Sequence, residues 1–179
     1  MITFDSKVLI IPGLNNSGPQ HWQSLWERDF NFERVIQQDW DTPECDDWIK
    51  AIDLAVGRHN GNVILVGHSL ACATIVIWAQ KYGKVVKGAL LVSPSDTEAD
   101  SYPLVTTGFT PMPLNKLSFP SIMVASTNDF YVTPDRARYF ANRWGSELTF
   151  IGDASHINAQ AGFGPWPEGL EMVKRLDQI

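Results

Sequence analysis

Three residues far apart in the chain, Ser69, Asp129 and His156, are of the types that nucleophilic acyl transfer needs. A serine hydroxyl is a weak nucleophile until a base removes its proton. Histidine titrates near neutrality, so it can take that proton and later return it to a leaving group. A carboxylate on the far ring nitrogen fixes the tautomer and stabilises the imidazolium. Each of the three stands just past an apolar run of strand length: Ser69 after residues 63–66, Asp129 after 121–125, His156 after 147–151. Other assignments stay open on sequence alone. Asp96, after residues 88–92, competes for the acid role, and so does Asp153, which also suits a loop cap. His156 also reads as a loop histidine satisfied by backbone. His21 starts a helix, His59 ends one where its cation would suit the dipole, and His68 adjoins the serine. None of these follows a late strand.

The surroundings of Ser69 carry the most information. Residues 62–73 read Asn-Val-Ile-Leu-Val-Gly-His-Ser-Leu-Ala-Cys-Ala. The apolar run 63–66 suits a strand buried on both faces of a parallel sheet. Residues 70–82 are apolar all round and predict a buried helix. A serine on a tight turn between them is lifted clear of the backbone, beside free helix N–H groups. The pattern resembles the Gly-x-Ser-x-Gly elbow of α/β-hydrolases, with Ala71 in place of the last glycine. The competing reading of Ser69 is a buried N-cap. An oxyanion hole would take one N–H from Leu70 and a second from the loop Gly13-Leu14-Asn15-Asn16, at Leu14 or Asn15. That loop lacks the Gly-Lys-Ser/Thr ending of a phosphate loop.

The elements that must position these groups alternate. Strands are expected at 8–11, 34–36, 63–66, 88–92, 121–125 and 147–151. Helices are expected at 20–30, 45–58, 70–82 and 134–144, with a last one opening at Trp166-Pro167 and turning Leu170, Val173 and Leu176 inward. Such alternation predicts an α/β fold: a parallel, doubly wound six-stranded sheet with helices on both faces and right-handed crossovers. Ligands then lie beyond the carboxyl ends of the strands. Residues 94–119 hold prolines at 94, 103, 111 and 113, too broken a run for a cap domain. They are expected to form one rim of a pocket, with Tyr102, Phe109 or Met112 as apolar contacts.

The chain has 179 residues, which fits one domain over 1–179, and its 44% hydrophobic content allows a sizeable core. A net charge of −6 with no basic run longer than a pair argues against nucleic-acid binding. No apolar stretch is long enough to span a bilayer, and no secretory signal is visible. Cys45 and Cys72 are too few for a disulfide framework, and Cys72 reads as a small core residue. A cytoplasmic location is the expectation.

Several stretches together resemble one family. They are Pro-Gly-Leu-Asn-Asn-Ser at 12–17 with His21-Trp22-Gln23, the Gly-His-Ser-Leu elbow, the Asn128-Asp129 pair, His156-Ile-Asn158 and Gly-Pro-Trp-Pro-Glu-Gly at 164–169. The combination resembles the small serine hydrolases of YdeN and retinoblastoma-binding protein nine, over nearly the whole chain. The resemblance implies a compact α/β-hydrolase fold without a cap domain and a triad of Ser69, Asp129 and His156. The sequence holds no metal-ligand cluster, so no metal or other cofactor is expected. Departures are Ala71 in the elbow and Ser155, where a glycine commonly precedes the histidine. The expected activity, with the short proline-broken segment 94–119 limiting the acyl chain, is hydrolysis of a small carboxylic ester, or an amide, through an acyl-enzyme. The alternative is a catalytically silent module of the same fold that meets a protein partner. Candidate pocket residues are His21, Trp22, Asn158 and Trp166. Each also has a plainer role: a helix cap for His21, core packing for Trp22 and Trp166, a local turn for Asn158.

Overall fold

Side chains alternate across a strand, and a strand buried on both faces must find apolar partners in two directions. In a computed structural model, which describes residues 3–179, six parallel strands form one sheet in the order β2-β1-β3-β4-β5-β6. They are β1 (Lys7–Ile11), β2 (Glu33–Arg34), β3 (Val63–His68), β4 (Gly88–Val92), β5 (Ser121–Ala125) and β6 (Glu147–Phe150). The five helices are α1 (Trp22–Phe30), α2 (Cys45–Gly57), α3 (Leu70–Tyr82), α4 (Pro134–Trp144) and α5 (Pro167–Asp177). Val8, Ile10, Ile64, Val66, Leu90 and Val92 pack in one core layer with Trp22 and Trp26 of α1 and Leu170 and Val173 of α5. The intervening Leu9, Ile11, Leu65 and Leu91 pack in the other, with α2, α3 and α4. The period of two along each strand thus sorts the two helix layers.

β2 lies outside β1, whereas β3 to β6 extend the sheet the other way. The direction of crossover therefore changes between β1 and β3, and a crevice opens at their carboxyl ends. The loop after β1 and the serine after β3 face each other across it.

The structure corrects some expected boundaries. The second strand is Glu33–Arg34, not 34–36, because it pairs only with Leu9 and Ile10 of β1; Ile36 beyond it is 68% exposed. The first helix opens at Trp22, not at residue 20, because the His21 ring caps it, Nδ1 accepting from the Gln23 N–H at 3.2 Å. β3 runs on through His68. The segment after β4 holds no helix, and its one bridge joins Thr107 to Glu44. Phe109 and Met112 are buried in the α2–α4 core layer, so they are not rim contacts; the apolar demand of Trp48 and its neighbours draws them inward.

Candidate active site

Ser69 sits at the elbow between β3 and α3 with φ 59° and ψ −124°, a conformation that L residues hold only where their surroundings enforce it. Its N–H donates to the Val92 carbonyl at 2.9 Å, and its carbonyl accepts from Cys72 N–H at 3.0 Å. At Gly67 a Cβ would stand 2.6 Å from Ile75 Cδ1 and 3.3 Å from the Ala71 backbone, so a side chain there would press on the buried start of α3. Ala71 is fully buried and accepted where the elbow pattern has glycine. The Ser69 hydroxyl makes no helix-cap bond, which removes the N-cap reading. Burial pushes the Cys72 thiol well above its ordinary pKa, and its Sγ is held against the Gly67 and Val92 carbonyls. It is a core group.

Ser69, His156 and Asp129 meet. His156 Nδ1 lies 3.0 and 2.9 Å from the two Asp129 oxygens, and Nε2 lies 2.8 Å from Ser69 Oγ. A carboxylate only accepts, so Nδ1 carries the proton and Nε2 presents its lone pair to the serine. The Asp129 side chain is wholly inaccessible to solvent, and its Oδ1 also accepts from Tyr131 N–H at 2.9 Å. Asp96 is instead chelated by Arg136, and Asp153 bonds Thr127, so neither touches His156. His59 follows the end of α2, as expected, with its N–H on the Val56 carbonyl, and its ring Nε2 lies 3.0 Å from Glu33.

The loop bearing His156 is strained on both sides, with φ 47° at Ser155 and 46° at Ile157. Three side chains bond its residues 155–157. Asn128 Oδ1 accepts from Ser155 N–H at 2.7 Å, His68 Nε2 donates to the His156 carbonyl at 2.8 Å, and Trp22 Nε1 donates to the Ile157 carbonyl at 2.9 Å. Sequence reasoning missed His68 and Asn128 in this role; they adjoin Ser69 and Asp129, but no spacing announces what they hold. Burial, with lesser contributions from the His156 and His21 charges, keeps His68 neutral well below the ordinary imidazole pKa.

The two expected oxyanion donors can be separated. The N–H of Asn15 is spent on the Trp40 carbonyl at 2.8 Å, which removes Asn15 as a candidate. Leu14 N–H has no partner among the described residues, and Leu14 lines the cleft beside Ser69 and Leu70. Gly13 brings that loop against the elbow: a Cβ there would stand 2.7 Å from the His68 carbonyl and 3.2 Å from Leu70 N.

The cleft over Ser69 measures about 400 Å³. Its walls include Leu14, Asn16, His21, Tyr102, Pro103, Tyr131, Asn158 and Gln160, and among the described residues no Asp, Glu, Lys or Arg lines it. Burial first, then the Arg34 and His156 charges, lowers the His21 pKa to about 4. Asn158 lines the cleft while capping a short turn through Ala161 N–H. Trp22 and Trp166 do not line it. They pack edge to face at 5.2 Å between ring centres in the α1–α5 layer, because that layer must be filled between the sheet and the last helix.

A parallel sheet with this elbow, and a histidine bridging its serine to a buried aspartate, defines an α/β-hydrolase. The chain belongs to the serine hydrolase family, whose model matches residues 8–175. A candidate YdeN-like hydrolase from Pectobacterium atrosepticum is 35% identical, with 96% of this chain and 90% of that chain covered and a TM-score of 0.85. The ydeN gene product of B. subtilis is similar in fold at 18% identity, covering 97% and 100% of the two chains with a TM-score of 0.83. Esterase 2 of Thermogutta terrifontis shares the fold at 14% identity, over 96% and 82% of the chains, with a TM-score of 0.67. Comparison with curated proteins gives no match.

Proposed function

We propose that the protein cleaves small, uncharged carboxylic esters through an acyl-enzyme on Ser69. The observation that carries this reading is the unbroken hydrogen-bond chain from Asp129 through His156 to Ser69 Oγ, at 2.9 and 2.8 Å. Ser69 Oγ attacks the ester carbonyl carbon while its proton passes to His156 Nε2. The carbonyl oxygen takes the charge and accepts from the N–H groups of Leu14 and Leu70. Collapse of the tetrahedral intermediate breaks the bond to the alcohol oxygen, which takes the Nε2 proton. Water then repeats the sequence on the acyl-enzyme and restores Ser69.

The cleft supports the substrate class. Its walls offer amides, phenols and neutral imidazoles but no ion pair for a charged group. With Phe109 and Met112 in the core, the apolar side chains of the wall are Leu14, Leu70, Tyr102, Pro103, Tyr131 and Ala159. Burial contributes about 0.8 kcal/mol per methylene, so preference should stop rising once the acyl chain outgrows that short wall. Both cysteines are free and buried, which suits the reducing cytoplasm we propose as its compartment. Among the described residues no helix is long and apolar enough to cross a membrane.

The test is a p-nitrophenyl ester series beside a fluorophosphonate probe. Short esters should turn over, Ser69 should label, and Ser69→Ala should lose about 10⁴-fold or more in kcat. Unlabelled, well-folded protein would leave a silent binding module; a steady rise to long acyl chains would refute the substrate class.

A further inference from the structure

A second serine touches the nucleophile. Ser95 Oγ lies 3.0 Å from Ser69 Oγ, in the same cleft wall, and the residue is only 4% exposed. Its position is not loose. The strand end is bent at Ser93, with φ 47°, whose N–H donates to the Val124 carbonyl at 2.9 Å. Ser95 N–H reaches the Ser69 carbonyl at 3.4 Å, and the next residue, Asp96, is fixed by Tyr131 and Arg136.

Proton accounting gives the bond a direction. Nδ1 of His156 spends its proton on Asp129, so Nε2 accepts, and Ser69 spends its only proton on Nε2. Ser69 Oγ can then only accept from Ser95, whose hydroxyl must be the donor. Oγ has three directions besides its bond to Cβ. His156 occupies one and Ser95 a second, leaving one lone pair for the substrate.

We infer that Ser95 is a further catalytic residue, whose hydroxyl aims the attacking lone pair of Ser69 and stabilises the charge that gathers on Oγ. This rests on the acyl-enzyme reading above. Its proton never leaves Ser95. Hydrogen bonds to a charged oxygen are about twice as strong as those to a neutral one, so the donation is worth more in the transition state than in the resting site. In the acyl-enzyme, Oγ is an ester oxygen and a poor acceptor, and the bond weakens. It is restored as Oγ leaves in deacylation. Both half-reactions therefore use the same donor.

The experiment compares wild type, Ser95→Ala and Ser69→Ala by pre-steady-state release of p-nitrophenol from p-nitrophenyl acetate, with crystal structures of the first two. Ser95→Ala removes one oxygen and should melt close to wild type. Acylation and deacylation constants should each fall about 10- to 100-fold, while the substrate dissociation constant stays within about threefold. Rates within about threefold of wild type, or a loss carried by binding alone, would overturn the inference. If wild type is no faster than Ser69→Ala, the acyl-enzyme reading itself fails, and the structures still judge the geometry. Ser69 Oγ should then spread over rotamers in Ser95→Ala; one unchanged rotamer facing His156 overturns the orienting role.

Discussion

Asp129→Asn separates a tautomer effect from a folding effect, because one backbone group decides how the new amide must lie. Asp129 Oδ1 accepts from Tyr131 N–H at 2.9 Å and faces His156 Nδ1 at 3.0 Å, in a site closed to solvent. An asparagine has the same shape but a single acceptor oxygen. Turning its NH₂ toward Tyr131 would set donor against donor and leave a buried N–H unpaired, a cost of about 1–3 kcal/mol. The oxygen therefore stays on Tyr131 and the NH₂ faces His156. The NH₂ then stands at the Oδ2 position, 2.9 Å from Nδ1, where an N–H on the ring would meet it donor to donor, and this favours the tautomer with the ring proton on Nε2. Nε2–H points at Ser69 Oγ, 2.8 Å away, and cannot take its proton. The expected loss is on the order of 10⁴-fold in kcat, with little change in melting temperature. Steady-state hydrolysis of p-nitrophenyl acetate gives the rate, and nitrogen NMR of the imidazole reads the tautomer. Asp153→Asn is the control; its carboxylate bonds Thr127 rather than His156, and kcat should stay within a few-fold. A kcat for Asp129→Asn within about tenfold of wild type, or an unchanged tautomer, would refute the reasoning.

Two further outcomes follow from packing around the cleft. His21 has its pKa lowered to about 4 from 6.5, so the unfolded chain takes up this proton first, and stability present above pH 6.5 is lost as pH falls toward 4. The full loss is about 3 kcal/mol, and His21→Asn, which keeps an N-cap, should flatten that part of a melting-temperature curve; an identical slope would count against it. Gly13→Ala places a Cβ 2.7 Å from the His68 carbonyl and 2.9 Å from Ser69 Cβ, so the loop must move and carry Leu14 N–H away. kcat should fall about 10²- to 10³-fold, and a wild-type kcat would show that this N–H is not an oxyanion donor.

What was legible in the sequence was set by patterns that act locally. Continuous apolar runs between turn formers disclosed the buried parallel strands, and those strand ends brought Ser69, Asp129 and His156 to one edge. What was not legible depends on contacts across the chain. Asn15 and Leu14 look alike as N–H donors until the Trp40 carbonyl, from a loop outside the strand pattern, takes one of them. Phe109 and Met112 sit in a proline-broken segment that reads as rim, yet Trp48 and its layer draw them inside. Trp22 and Trp166 stand near cleft residues in sequence but fill the layer beneath. Ser95 and His68 carry no motif of their own; only their distance from Ser69 and from the His156 carbonyl marks them.

The order of these groups across the sheet explains why the site needs so many unfavourable backbone angles. Leu14 follows β1, Ser69 β3, Ser95 β4, Asp129 β5 and His156 β6, and those five strands are spatial neighbours in that sequence. Parallel strands deliver their carboxyl ends to one edge, but side by side at about 4.8 Å spacing, whereas the chemistry needs convergence on one oxygen. Each loop must therefore bend sharply within a few residues of its strand. Nine non-glycine residues among those described have positive φ, and six of them, Asn15, Asn16, Ser69, Ser93, Ser155 and Ile157, lie in these loops. Asn tolerates that region, but Ser and Ile do so at a cost of order 1–3 kcal/mol each. The bonds from Asn128, His68 and Trp22 to the His156 loop, and from Ser69 and Ser93 to their strand neighbours, offset that cost. Strain concentrated where five chain segments converge, and held by bonds from neighbouring side chains, suits the fixed geometry that the proposed chemistry requires.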